Sequence, residues 1–341
     1  MLRSRCAQGL GLGLAVLLLG CSEGSDSKAR VLPGSNGAAL EVMVVASDAL
    51  WDSAPGHALR SILQEPVEGL PQMEPRFRVV HIEPKDFADL MRKTRNLIFL
   101  ETDSTEAFKR FDNRWASPQT VWWLGSERPE TLEALVRSKG PELADEITRK
   151  ERLHLLGRNK AKPAPQSKLM KSLGLTFQLT PGFRLSTDRD DVTLFWNRNS
   201  RRDLCVMIYT RPYAEDSLSA GNGLMAHRDS VCKQFVPGQL EGSYMKTEME
   251  PAPALLPLSL DNRFAYEARG LWKVERDFMG GPFLSYSIYA EDLGQIVTIE
   301  GFCFAPEIDK RSLMFELESL LYTVQLGKAA SRSPSTTPKG E

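Results

Sequence analysis

Apolar positions along the chain fall into three regimes. Residues 10–19 form an unbroken run of apolar residues and glycine. From Leu40 onward the apolar runs are short and separated by polar stretches. Residues 40–46 (LEVMVVA) show no polar alternation, which predicts a strand covered on both faces. Ala58, Leu59, Ile62 and Leu63 recur at helical spacing. Residues 77–83 predict a strand, Pro84 opens a short helix through Arg92, and 96–101 and 120–124 predict two further strands. Over residues 129–159, Leu132, Leu135, Val136, Leu143, Ile147 and Leu155 mark one face of a long helix, interrupted near Gly140-Pro141. Strands alternating with helices predict an α/β layer domain over residues 40–160.

The pattern then changes. Residues 161–168 (AKPAPQSK) hold two prolines and no large apolar side chain, which predicts a linker. Strands follow at 175–179, 192–197 and 204–210, a helix at about 220–235, and strands at 243–249, 263–275, 283–289 and 295–304. A closing helix over about 309–325 places Leu313, Leu317, Leu320, Leu321 and Val324 on one face. Residues 169–326 therefore predict a mostly antiparallel sheet packed with helices, and the whole chain an α+β protein. Residues 327–341 are Ser, Thr, Pro and charge, the composition of a disordered tail. In order of elements, this second half resembles the sandwich of PsbP-like and Mog1-like proteins. It has a Pro181-Gly182-Phe183 edge, a meander, and a last strand feeding a terminal helix. That resemblance implies a shape and not an activity.

The N-terminal run gains meaning from its flanks. Arg3 and Arg5 precede it without any acid, and it is shorter than the roughly 20 apolar residues of a membrane span. It ends Leu18-Leu19-Gly20-Cys21, which resembles the bacterial lipobox. The resemblance implies that residues 1–20 are a lipoprotein signal peptide and that Cys21 is lipidated, with at least two acyl chains giving stable anchoring. Ser22 stands where an Asp would resemble the inner-membrane retention signal, so the expected location is the outer membrane, facing the periplasm or the cell surface. Residues 21–39, rich in Ser, Gly and charge, predict a flexible tether.

Charge and candidate chemistry exclude more than they identify. The chain has 341 residues with 43 basic and 44 acidic side chains, which provides no basic field for nucleic acid. Loss of the signal removes Arg3 and Arg5 and leaves a mildly acidic chain. Cys205, Cys232 and Cys303 all have apolar neighbours, the setting of buried free thiols rather than a disulfide framework. His57, His81, His154 and His227 are scattered without metal-binding spacing, so no metal or cofactor is expected. There is no G-x-S-x-G elbow and no Walker loop. His227-Arg228-Asp229 shares only its letters with a kinase catalytic triplet, and Arg228 with Asp229 predicts a structural ion pair. Carboxylate pairs such as Glu248 and Glu250 are too common among 44 acids to single out glycan chemistry. Trp122 and Trp123, adjacent on a strand, must face opposite ways.

Three phrases are distinctive. They are the block from Leu50-Trp51 to Pro71, PGQLEGSYMKT from Pro237, and RGLWKVERDFMGGPF from Arg269. In these the chain, over about residues 40–325, resembles an uncharacterised lipoprotein family of Bacteroidetes known only as a domain of unknown function. The resemblance brings no activity or catalytic residue with it. Physically, Phe278-Met-Gly-Gly-Pro282 between two strands predicts a tight hairpin in which Gly280 and Gly281 supply positive φ. The alternative is an exposed apolar lip of Trp272, Phe278, Met279 and Phe283, with Tyr244 lining the same cleft and Arg269 on its rim, open to a partner.

The expected protein is a lipid-anchored, non-enzymatic envelope module that binds a protein or cell-wall partner. One alternative is an enzyme or enzyme accessory acting on peptidoglycan or surface polysaccharide. Another is a binder that takes a small ligand between the two domains. Cys21→Ser is expected to move the protein from the membrane to the soluble fraction on cell fractionation. Retention of the variant in the membrane would contradict the lipobox.

Overall fold

The computed structural model describes residues 31–102, 105, 107–214 and 222–327. The signal peptide, Cys21, the first part of the tether and the tail from residue 328 lie outside the described residues. Among the described residues no helix is long and apolar enough to cross a membrane.

The first half is built from β1 (Glu41–Val45), α1 (Asp48–Trp51), α2 (Ala54–Leu63), β2 (Arg78–Ile82), β3 (Asn96–Glu101), β4 (Ala107–Asp112), β5 (Thr120–Gly125) and α3 (Pro129–Arg158). The strands form one sheet in the order β2-β1-β3-β5-β4, parallel except for β4. One face packs Val42, Val44, Ile98, Leu100, Trp122 and Leu124 under α2 and α3. The other packs Met43, Val45, Leu97, Phe99 and Val121 against Phe87, Met91 and Trp115. Both faces are covered, which is why β1 and β3 read as continuous apolar runs. Trp122 and Trp123 do face opposite ways, and Trp123 stacks on Phe99 with centroids 4.5 Å apart.

Three expectations are corrected here. The α3 helix runs on through Pro141 without a break. Packing explains the glycine before it, because a Cβ at Gly140 would come within 2.5 Å of Ile62 on α2. The tether ends earlier than Ala39: Ser117 donates its backbone N–H to Pro33, Ser35 returns one to Ser117, and Asn36 bonds Lys93 and Arg95. Instead of a short helix at 84–92 there are two 3-10 turns, Pro84–Asp86 and Met91–Lys93.

A buried carboxylate fixes the strand starts. Glu151 of α3 is 1% exposed. It accepts from Arg95 Nε at 2.5 Å, from Asn96 Nδ2 at 2.8 Å and from the backbone N–H of Leu40 at 3.0 Å. Leu40, at φ 57°, enters β1 through this contact.

The second half continues with β6 (Lys162–Pro163), α4 (Lys168–Leu173), β7 (Gln178–Leu179), β8 (Arg184–Asp188), β9 (Val192–Arg198), β10 (Asp203–Pro212), α5 (Asn222–Phe235), β11 (Met245–Thr247), β12 (Ala254–Leu260), β13 (Arg263–Val274), β14 (Gly280–Ala290), β15 (Gln295–Phe304) and α6 (Arg311–Leu321). The expected linker at 161–168 is ordered, since it contains β6 paired with β7, and Ala164 and Ser167 are buried. An antiparallel sheet runs β11-β13-β14-β15-β10-β9-β8, with β12 also paired to β13. α6 and α4 cover one face, where Leu204, Val206, Leu284, Tyr286 and Ile299 meet Leu317, Leu320 and Leu321. α5 covers the other, where Cys205, Met207, Trp272, Phe283 and Phe302 meet Val231 and Cys232. The chain is therefore α+β, as expected. Cys205, Cys232 and Cys303 are buried free thiols, and burial pushes those of Cys232 and Cys303 up to about 12.

Between α5 and the sheet lies a fully buried ion pair. Arg228 Nη2 is 2.7 Å from Glu300 Oε1, its Nε reaches both carboxylate oxygens at 3.0 Å, and both side chains are 0% exposed. Thr247 takes a bond from Arg228 and gives one to Asp229, while the guanidinium lies 3.9 Å over the Phe283 ring. Arg228 is thus in an ion pair, but its close partner is Glu300 on β15, with Asp229 at 3.6 Å. Glu300→Gln would leave the guanidinium buried beside a neutral group, a change expected to cost about 3–5 kcal/mol. Urea unfolding would read this as a lowered midpoint, and an unchanged midpoint would contradict the assignment.

Candidate functional site

From Pro33 onward the chain clusters as one compact unit, so the two halves share walls. Between them lies a cleft of about 700 Å³. Each wall follows from the periodicity of its element. On α3, Asp145, Thr148, Arg149 and Arg152 recur at spacings of three and four and share a face. On α6 and its C-cap, Arg311, Met314, Phe315, Glu318 and Tyr322 do the same. Glu267 and Arg269 are alternate residues of β13 and so point to the same side. Residues 65–68, in the loop between α2 and β2, close the mouth.

The loop also locks the halves together. Glu74 accepts the backbone N–H groups of Lys310 and Arg311 at 2.8 and 2.9 Å, capping the N-terminus of α6 from the other half. Gly69, at φ +76°, lies so close to the backbone of Gly270 that an added Cβ would stand 2.9 Å from its nitrogen. Phe315 of α6 belongs to the core of the first half, while its neighbours Met314 and Leu317 belong to that of the second.

Arginine and carboxylate alternate along the floor. Glu318 meets Arg152 Nη2 at 2.7 Å with one oxygen and Arg269 Nη2 at 3.2 Å with the other. Arg269 Nε also meets Glu267 at 2.5 Å. Burial pulls the Arg269 pKa down, but the carboxylates of Glu318 and Glu267 outweigh it and hold the guanidinium above the ordinary arginine range. Arg152 stacks 3.7 Å from the centroid of Tyr322. Arg76 pairs with Asp145 at 2.7 Å and bonds Thr148.

The remaining capacity is on the donor side. Arg152 Nε is buried without a hydrogen-bond partner. The side chain of Arg311 bonds only the carbonyls of Pro75 and Arg76, at 3.5 and 3.2 Å, and burial lowers its pKa. Behind the wall, the buried hydroxyl of Tyr286 also has no partner. Burial, and then the carboxylates of Glu318 and Glu267, push its ionisation well upward, so it remains a neutral donor.

The residues singled out from the sequence do not form one exposed lip. Trp272 and Phe283 are 4% and 1% exposed, in the core beneath α5. Arg269 points to the opposite face of β13 and enters the cleft. Phe278 alone is fully exposed, at the hairpin tip, while Met279 and Tyr244 are half-buried. Strand alternation separates Trp272 from Arg269, because three residues along a strand reverse the side. Trp272, Met279 and Met245 do meet, with Trp196, Phe302 and Phe304, around a second cavity of about 310 Å³. The hairpin is present, but Arg276 takes the positive φ, at 66°. Gly280 and Gly281 lie in β14, where a Cβ on Gly281 would meet the carbonyl oxygen of Cys303 at 2.2 Å. Sequence reasoning missed Arg152, Arg311, Glu318 and Tyr322. The one signal was the polar spacing of Arg311, Glu318 and Tyr322 beside the leucine face of α6. Among the described residues, no group of three or more His, Cys, Asp or Glu side chains could hold a metal ion.

Comparison with known proteins divides the chain at the same place. Residues 35–160 match the family model of a domain of unknown function, DUF8532, and residues 162–323 match another, DUF4837. The two matches lie side by side along the chain. The cleft thus lies between the two matched segments, with α3 from the first and α6 from the second. No curated protein matches. Among solved structures, PsbP (CyanoP) from Synechocystis sp. PCC 6803 is similar at 10% identity and TM-score 0.34, over 49% of this chain and 92% of that one. The Ran-binding protein Mog1p of Saccharomyces cerevisiae is similar at 9% identity and TM-score 0.31, over 49% and 95%. A protein from Bacteroides thetaiotaomicron VPI-5482 is similar at 7% identity and TM-score 0.28, over 49% and 48%. These likenesses are distant.

Proposed function

We propose that this chain is a lipid-anchored, non-enzymatic binding module of the cell envelope, and that its ligand site is the cleft between the two matched segments. The observation that carries the reading is the cleft itself, about 700 Å³ with walls supplied by elements of both domains. Domain interfaces are where small-molecule sites concentrate, and this volume falls within their usual range. The lipobox-like Leu18–Cys21 segment supports the anchor and the envelope location. A cell-wall fragment or small envelope metabolite is the ligand such a location would supply.

The disposition of the acids favours binding over glycan cleavage. Glycoside hydrolysis needs one carboxyl free to give up a proton and a second facing the sugar. Here Glu318 and Glu267 each accept a bond from an arginine, so they are committed to the wall.

The test is a thermal-shift screen of fractionated envelope extract against wild type and Leu256→Trp. Leu256 lines the cleft from the edge strand β12 and is half exposed, so an indole there fills the cleft with little cost to the core. One fraction is expected to raise the midpoint of wild type by several degrees and to leave the variant unmoved. Equal shifts in both, or no shift in either, would overturn the reading.

A further inference from the structure

The hydrogen-bonding balance of the cleft points to the class of ligand. Each inner carboxylate is already answered by arginine: Glu318 by Arg152 and Arg269, and Glu267 by Arg269. Of the other acids on the walls, Asp145 pairs with Arg76, and Glu65 and Glu68 are exposed at the mouth, where water satisfies them. What lacks a partner inside is on the donor side. Arg152 keeps a buried Nε–H with nothing to receive it, although its terminal nitrogen is tied to Glu318. Arg311 brings a second guanidinium to the same cleft, and among the described residues it is paired with no carboxylate. Its contacts are main-chain carbonyls at 3.2 Å and beyond, too long to match the charge-assisted bonds a guanidinium makes with an oxyanion. The Tyr286 hydroxyl, wholly buried beside Glu318 and Glu267 and unpartnered, adds a third donor behind the wall.

Burying donors without acceptors is unfavourable, and the cost is relieved when an acceptor arrives. A planar guanidinium fork prefers a carboxylate or phosphate, which can take two parallel N–H bonds. Resting on the reading of the cleft as the ligand site, we infer that the cleft holds its ligand by an oxyanion, received between Arg311 and Arg152. The Arg152–Tyr322 stack holds the Arg152 guanidinium in place for that contact. The anion supplies the oxyanion partner that Arg311 lacks within bonding distance, Glu74 and Asp309 acting on it only from further away. A neutral sugar would leave that guanidinium as it is.

The test is isothermal titration calorimetry of the purified full chain with inorganic phosphate, succinate and glucose, at constant ionic strength set with chloride. At least one of the two oxyanions is expected to bind at one site per chain while glucose does not, and which of them binds separates a phosphate from a carboxylate ligand. Arg311→Gln is expected to weaken that binding about tenfold or more, the loss of one charge-assisted contact. Should that variant unfold, Arg311→Lys, which keeps the charge but loses the fork, is expected to weaken it as well. Absence of binding by both anions, or an affinity unchanged in the folded variant, overturns the inference. If neither anion binds but an extract fraction still stabilises wild type and not Leu256→Trp, the ligand class is wrong and the cleft reading stands.

Discussion

One carboxylate, that of Glu318, touches a guanidinium from each domain at the same time. Arg152 comes from α3 of the first half and Arg269 from β13 of the second, and Glu318 itself sits on α6 between them. All three side chains are largely buried, so the contacts are little screened by solvent. Loss of the carboxylate would leave two arginines facing one another at a domain junction, the arrangement in which broken pairs cost most. Around it the other junction contacts fall into place. Glu74 caps α6, Phe315 plugs the first core from the second half, and Gly69 presses on Gly270. These contacts join α3, α6 and β13 around the cleft.

A second, deeper constraint keeps the floor in position. The floor strand β13 is paired to β14, and β14 to β15, where Glu300 is locked by Arg228 of α5. The same β13 carries Glu267 and Arg269 on its cleft side and Trp272 on the α5 side. Ordering of the sheet by the buried pair on one face therefore orients the polar wall on the other. Through Glu300, Arg228 of the His-Arg-Asp triplet bears on the candidate site without touching it.

How far these features could be read in advance depends on their range along the chain. The strands β1, β3 and β5 are legible because burial on both faces makes their apolar runs continuous, and the α+β class follows from the change of pattern near residue 161. Besides the short β6 in the expected linker, three strands were not legible. β4 (AFKRFD) lies at the sheet edge with its charged residues in water, β12 contains Pro257, which an edge strand tolerates, and β8 alternates with small polar residues. Residues 161–168 are ordered without an apolar run, because Ala164 and Ser167 are small enough to be buried without leaving an apolar signature. The lip failed through strand parity, which places Arg269 and Trp272 on opposite faces. The cleft itself was out of reach, since Arg152 and Glu318 meet across 166 positions of sequence. Only the polar face of α6 left a trace.

Taken together, these contacts make the chain a single cooperative body whose cleft is a built joint rather than a gap between two beads. Differential scanning calorimetry of the full chain measures this directly. A single transition whose calorimetric and van't Hoff enthalpies agree is the expected result, because unfolding either domain strips α6 of its partners in the other. Two separable transitions, one for each domain, would contradict it.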